Sequence, residues 1–249
     1  MKRPSILLAT ISLGLIAIAW TQPRTAVEAD TEQHHHLILS NGQVRIFAVG
    51  IPAGEDIYVR HHHNFLTVTL EDSRLVMWVE GATPGLTFPV NAGDTRFFLG
   101  GAALGIRNDG QAEYKNVTVD FLDPLVTTYA YQYNRSPGQS TWDYGSSGAM
   151  APPVDEHSGF VHALSLQHAV LRDVRLLPGS RLGPPEQPVN ELIIAVSDLD
   201  LTPAAGKALK KRSGDVFWLE GRTSALTNLG NAPARFVVLE LPGTQPWSK

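Results

Sequence analysis

Three consecutive histidines, His61-His62-His63, stand directly before "NFLTVTLED" (64–72), where apolar and polar residues alternate. Imidazole nitrogens bind Mn, Fe, Ni and Zn and exchange protons near neutral pH, so the triplet raises both metal and acid–base chemistry. Alternate residues of a strand share a face, which puts His61 and His63 together and His62 opposite. A second triplet, His34-His35-His36, lies in the N-terminal tail, where a solvated edge or a surface patch is expected. His157, His162 and His168 complete the set. The even separation of the last two lets them share a face, and structural roles are expected for them.

Other chemistries lack their residues. The chain has no cysteine, which removes disulfides and thiolate ligands. "YGSSG" (144–148) does not have the spacing of a nucleophile elbow, and no phosphate-binding loop or dinucleotide fingerprint occurs. Asp155 and Glu156 are adjacent, so on an extended chain their carboxylates point apart. "NVT" (116–118) has the form of a glycosylation acceptor but falls in an expected strand.

The ends and the charge bound the setting. Lys2 and Arg3 open the chain, an apolar run extends from Ile6 to Trp20, and Ala26-Val27-Glu28-Ala29 supplies small residues. That order predicts a signal peptide over 1–29, cut after Ala29. A retained anchor is the alternative, since the run is just short of the roughly 20 residues that span a bilayer. The protein is expected to be exported, periplasmic or extracellular, with no membrane span in the mature chain. Such a cut leaves 17 basic and 23 acidic residues, a net charge of about −6, which argues against nucleic acid or anionic membrane as partner. "KALKKR" (207–212) reads as a solvated hairpin.

The elements that must position the histidines come twice. Gly54, Asn64, Gly93-Asp94 and Asn108-Asp109-Gly110 recur in order as Gly179, Asn190, Gly214-Asp215 and Asn228-Leu229-Gly230, at offsets of 125, 126, 121 and 120. Near-constant offsets across four landmarks indicate two copies of one domain. Each copy consists of short runs such as "TRFFLGG" (95–101), "NVTVDFL" (116–122), "DVFWLEG" (215–221) and "ARFVVLEL" (234–241), bounded by turn residues, which predicts strands. Val117, Val119 and Phe121 alternate with Thr118 and Asp120, as in a half-buried strand. The expected class is all-β, two small barrels in tandem, with an aromatic-rich connector over 123–160 that packs between them.

Both halves resemble the cupin superfamily, and the pair resembles a bicupin, with domains over 38–122 and 161–243. The resemblance rests on the motifs G-x5-H-x-H-x3,4-E-x6-G and G-x5-P-x-G-x2-H-x3-N, and it implies jelly-roll barrels that hold a divalent metal with three histidines and a glutamate. In the second copy the histidine positions fall on Pro185, Gln187 and Ser224, with Glu191 at the carboxylate position and Arg222 or Arg235 as its partner. The resemblance therefore implies no transition metal there. In the first copy, counting from Gly54 selects Arg60 and His62, and counting from Asn64 selects Val59 and His61. One inserted residue selects His61 and His63, with Leu104 at the third histidine position.

Two function classes follow. The first is a bicupin with degenerate metal sites that binds a small polar ligand, of sugar or organic-acid class, through Gln187, Glu191 and Ser224, with a homodimer as a further role. The second is a metal-dependent oxygenase, isomerase or decarboxylase, with a divalent metal on His61 and His63 and a third ligand such as Glu71, Glu55 or a connector histidine.

Overall fold

The computed structural model describes residues 24–80, 85–123, 169–185, 189–204 and 206–241, with the backbone alone of 127–128, 140–144 and 160–167. Strands run through all of them, and no helix occurs among the described residues. In the first half, one sheet takes the order β12 (Ser140–Tyr144), β8 (Thr95–Phe98), β5 (Phe65–Thr69), β10 (Tyr114–Phe121), β3 (Val44–Ile51), β2 (His35–Ser40). The facing sheet takes β1 (Val27–Glu28), β4 (Asp56–Arg60), β9 (Ala103–Asn108), β6 (Ser73–Val79), β7 (Leu86–Val90).

The second half repeats the order with β11 (Thr127–Thr128), β13 (Phe160–Gln167), β14 (Ala169–Leu176), β21 (Ala234–Glu240), β16 (Val189–Ala195), β19 (Val216–Arg222). Its facing sheet is β15 (Arg181–Leu182), β20 (Leu226–Asn228), β17 (Leu199–Pro203), β18 (Leu209–Lys211). Each half is thus a two-sheet jelly roll. The described parts of the connector add one strand to each half: β11 pairs with β13, and β12 pairs with β8.

The repeated landmarks make the same bonds in both copies. Asn108 donates from Nδ2 to the carbonyls of Ile51 (2.8 Å) and Ala112 (2.7 Å), and Asn228 does so to Leu176 (3.0 Å) and Ala232 (2.9 Å). Gly54 N–H donates to the Asn108 carbonyl and Gly179 N–H to the Asn228 carbonyl, both at 2.8 Å. Asn64 Oδ1 accepts from Gly100 N–H, as Asn190 Oδ1 does from Gly221 N–H. A single side chain ties a turn to two neighbouring strands in each case, which is why the type persists while its surroundings diverge.

The largest apolar cluster belongs to neither barrel alone. Val44, Ile46, Leu66, Val68, Val117 and Val119 of the first half pack with Leu171, Leu192, Ile194, Val237 and Leu239 of the second, all essentially buried. The two six-stranded sheets therefore lie face to face, and the apolar side of β10 points out of its barrel. Its other side, Asn116, Thr118 and Asp120, is buried inside, so the alternation marks two buried faces rather than one wet one. Arg235 pairs with Asp173 and donates across the junction to the Ala92 carbonyl. Because the halves share this core, heating should give one calorimetric transition. Leu239→Ala should lower stability by about 2–5 kcal/mol without splitting it. Two separable transitions would contradict the shared core.

Candidate functional site

The first barrel encloses a small cavity that opens to solvent, with room inside for about one water-sized group. Val49, Ile57, Phe65, Met77, Phe98 and Ile106 form an apolar wall, and His35, His61, Thr67, Arg96, Asn116 and Thr118 supply polar groups. At the positions that pair equivalently in the second barrel, Thr67, Arg96, Asn116 and Thr118 are replaced by Ile193, Phe217, Phe236 and Val238. Those residues belong to an apolar cluster with Leu176, Leu201 and Leu226 that occupies the second interior. One barrel is hollow and partly polar, and its duplicate is packed with hydrocarbon.

Two imidazoles converge in the hollow one. Ile57 and Val59 of β4 face inward, and His61 continues that face one residue past the strand, held by a bond from Gly101 N–H to its carbonyl (2.8 Å). His35 sits on β2 opposite Val49, another wall residue. The ring centroids of His35 and His61 are 5.4 Å apart, and Phe65 stacks on His61 at 4.0 Å. Each Nδ1 faces a buried carboxylate: Glu32 Oε2 lies 2.7 Å from His35, and Asp120 Oδ1 lies 2.6 Å from His61. Asp120 also pairs with Arg45 at 3.0 Å.

This wiring fixes the tautomers. An ionised carboxylate only accepts, so each Nδ1 carries the hydrogen and each Nε2 is left for the cavity. Among the described residues neither Nε2 has a hydrogen-bond partner. Burial pushes the His35 pKa down, against the raising effect of Glu32. At Glu32 burial raises the pKa, but the bonds from His35 and from His34 N–H outweigh it and hold the carboxyl below its usual range. Both shifts describe one state, a neutral imidazole donating to a carboxylate.

The residues singled out from sequence are distributed unevenly. His61 enters the cavity, and His63 does not line it, because the strand ends at Arg60 and alternation ends with it. His62 is exposed and lies 2.7 Å from Glu28. His35, assigned from sequence to a solvated tail, is instead buried in the wall. Glu55 lies beside His34 and Glu71 beside Lys115, both outside the cavity wall. Gln187, His157 and His168 lie outside the described residues, as does the side chain of His162. Asn116 of "NVT" lines the cavity. Among the described residues two imidazoles converge and no group of three or more His, Cys, Asp or Glu does so, a donor set short of what a resident transition metal takes.

In the second barrel Glu191 is fully buried and Arg222, not Arg235, is its partner. The guanidinium donates from Nε and Nη2 to the two carboxylate oxygens, and from Nη1 to the carbonyls of Gly183 (2.8 Å) and Ser224 (2.9 Å). Ser224 therefore contributes backbone to this cluster. The cation is attached to the chain and its oxygen partners are saturated.

No protein-family profile and no curated protein matches the chain. Among solved structures, a cupin 2 conserved barrel domain protein from Leptotrichia buccalis aligns with a TM-score of 0.51 and 13% identity, over 88% of this chain and 92% of that one. The fold is that of a bicupin. Hazelnut (Corylus avellana) vicilin gives 0.55 at 10% identity over 84% of each chain. Oxalate decarboxylase from Bacillus subtilis gives 0.52 at 15%, over 83% of this chain and 75% of that one. A vicilin and a decarboxylase on one fold leave the activity to be argued from the site.

Two predictions follow from these charges. The folded pKa of His35 lies below its ordinary 6.5, so the unfolded chain takes up the proton first and stability falls as pH drops below about 6.5. Glu32, depressed from 4.5, extends the loss to lower pH. Urea titrations should show this decline, and His35→Gln should flatten its upper part. Arg222→Met, which strands Glu191, should cost about 3–5 kcal/mol, and Glu191→Leu with Arg222→Met should recover most of it. Equal losses in the single and double variants would refute that account.

Proposed function

We propose that this is an exported ligand-binding bicupin whose first barrel holds a small organic acid with an apolar body, without metal-dependent turnover. The observation that supports it most is the contrast between the two interiors. Thr67, Arg96, Asn116 and Thr118 line a cavity where the duplicate has Ile193, Phe217, Phe236 and Val238. Thr118 donates to Asn116 Oδ1 within that wall (2.8 Å), and a lining that is polar in one copy alone suits a ligand that is itself partly polar.

The chemistry of the wall favours an acid over a sugar. A sugar needs hydroxyl partners all round, whereas here one side is hydrocarbon and aromatic. Arg96 in the wall can meet a carboxylate, and the Nε2 of His35 or His61 can accept from an acid's O–H.

Thermal-shift and calorimetric titration with formate, acetate and glucose tests the reading. The acids should raise the melting temperature, by an amount equivalent to about 2.7 kcal/mol at a hundredfold excess over Kd, and glucose should not. The shift should vanish in the His35→Ala, His61→Ala variant. Near one equivalent of Fe, Mn, Ni or Zn in the purified protein, lost in that same variant, would decide for a metal-dependent enzyme instead.

A further inference from the structure

The stretch expected to leave with the leader is built into the first barrel. Val27 and Glu28 form β1, which pairs in parallel with Val59 and Arg60 of β4. Ala29 N–H donates to the Arg60 carbonyl (3.1 Å), and the Ala29 side chain is 2% exposed in a cluster with Phe47, Val49 and Ile57. Arg24 pairs with Asp56, and Glu28 with His62. The Glu28 carbonyl accepts from Thr31 N–H (2.9 Å), Glu32 N–H (2.9 Å) and Thr31 Oγ1 (3.1 Å). That turn sets Glu32 against His35.

A chain beginning at Asp30 would lose β1, the buried Ala29 side chain and the acceptor for all three donors. A cut after Ala29 would thus remove an edge strand and the turn that sets Glu32 against His35.

We propose that the leader is removed by hydrolysis of the Ala19–Trp20 peptide bond, so that 24–32 remains as a strap that braces β4 and, through Glu32, the His35 wall of the cavity. Water adds across that bond, the carboxylate leaves with the leader, and Trp20 becomes the new amino terminus. Ala17-Ile18-Ala19 has small residues at both positions a signal peptidase reads and lies near the end of the apolar run from Ile6 to Trp20, whereas the alternative has Val27 at the outer position. The inference rests on the exported reading above and adds where the mature chain starts.

The full chain, leader included, is expressed in a bacterial host, and the exported fraction is analysed by intact mass and N-terminal sequencing. Trp20 is the expected first residue, and Ala19→Tyr should shift the product to the uncut mass. Asp30, or any start other than Trp20, overturns the assigned bond. Chain found only inside the cell with its N-terminus intact overturns the exported reading itself. In a second arm, chains made to begin at Trp20 and at Asp30 are compared, and the shorter one should melt several degrees lower or fail to fold. Equal melting temperatures would show that the strap is dispensable.

Discussion

Two β-sheets pressed face to face between the barrels impose the arrangement of everything else. A strand has two faces, and in β5 and β10 the junction takes Leu66, Val68, Val117 and Val119. The alternate residues, Thr67, Thr69, Asn116, Thr118 and Asp120, are left to the barrel interior. A lone barrel would need its apolar face inside. Here the apolar face is buried by the partner domain, so the first interior is free to be polar and hollow. In a chain without cysteine, that shared layer is also the largest single apolar cluster among the described residues.

The same frame carries two opposite solutions for buried charge. Asp120 and Glu240 hold equivalent places on the last strand of each copy. Asp120 is answered by Arg45 and by His61, whose remaining nitrogen still faces the cavity. In the second copy Glu191 and Glu240 are cross-strand neighbours, answered by Arg222 and Arg172. Burial and the nearby Glu191 push the Glu240 pKa up. An imidazole has a second edge to offer a ligand, whereas the Arg222 guanidinium is already bonded to four oxygens. A carboxylate in both copies thus backs an imidazole at a cavity in one and a closed ion pair in the other.

Much of the frame was legible because its marks are local. Gly54, Gly93, Gly179 and Gly214 adopt positive φ at turns, and Asn108 and Asn228 bond within their own turns, so type and spacing sufficed to reveal a duplicated β-fold. The site was less legible because its residues meet across strands. Asp120 and Glu240 are acids at the repeat offset of Asn108 and Asn228, a signal that marks a shared interior position. Counting forward from Gly54 and back from Asn64 disagrees by one because those two residues are 10 apart where Gly179 and Asn190 are 11, and the register of β4 against β9 carries the inward face on to His61.

His35 was hidden by a different cause. "LSNGQV" (39–44) carries Asn-Gly, the strongest short hairpin signal, and Asn41 Oδ1 does accept from Gln43 and Val44 N–H at 2.8 Å. Pairing back from that turn matches Ser40 with Arg45 and Leu39 with Ile46, and a straight count would set His35 against Gly50, on the outer face. The strand bulges between Leu37 and Leu39, and beyond the bulge His35 faces Val49 instead. One extra residue therefore turns an imidazole from the sheet's outside into the cavity, as bulges do beside functional sites. Hydrophobic pattern could not announce the bulge, since Leu37 and Ile38 are both exposed. What selects it is the buried pairing of His35 with Glu32, which exists only when the ring points inward.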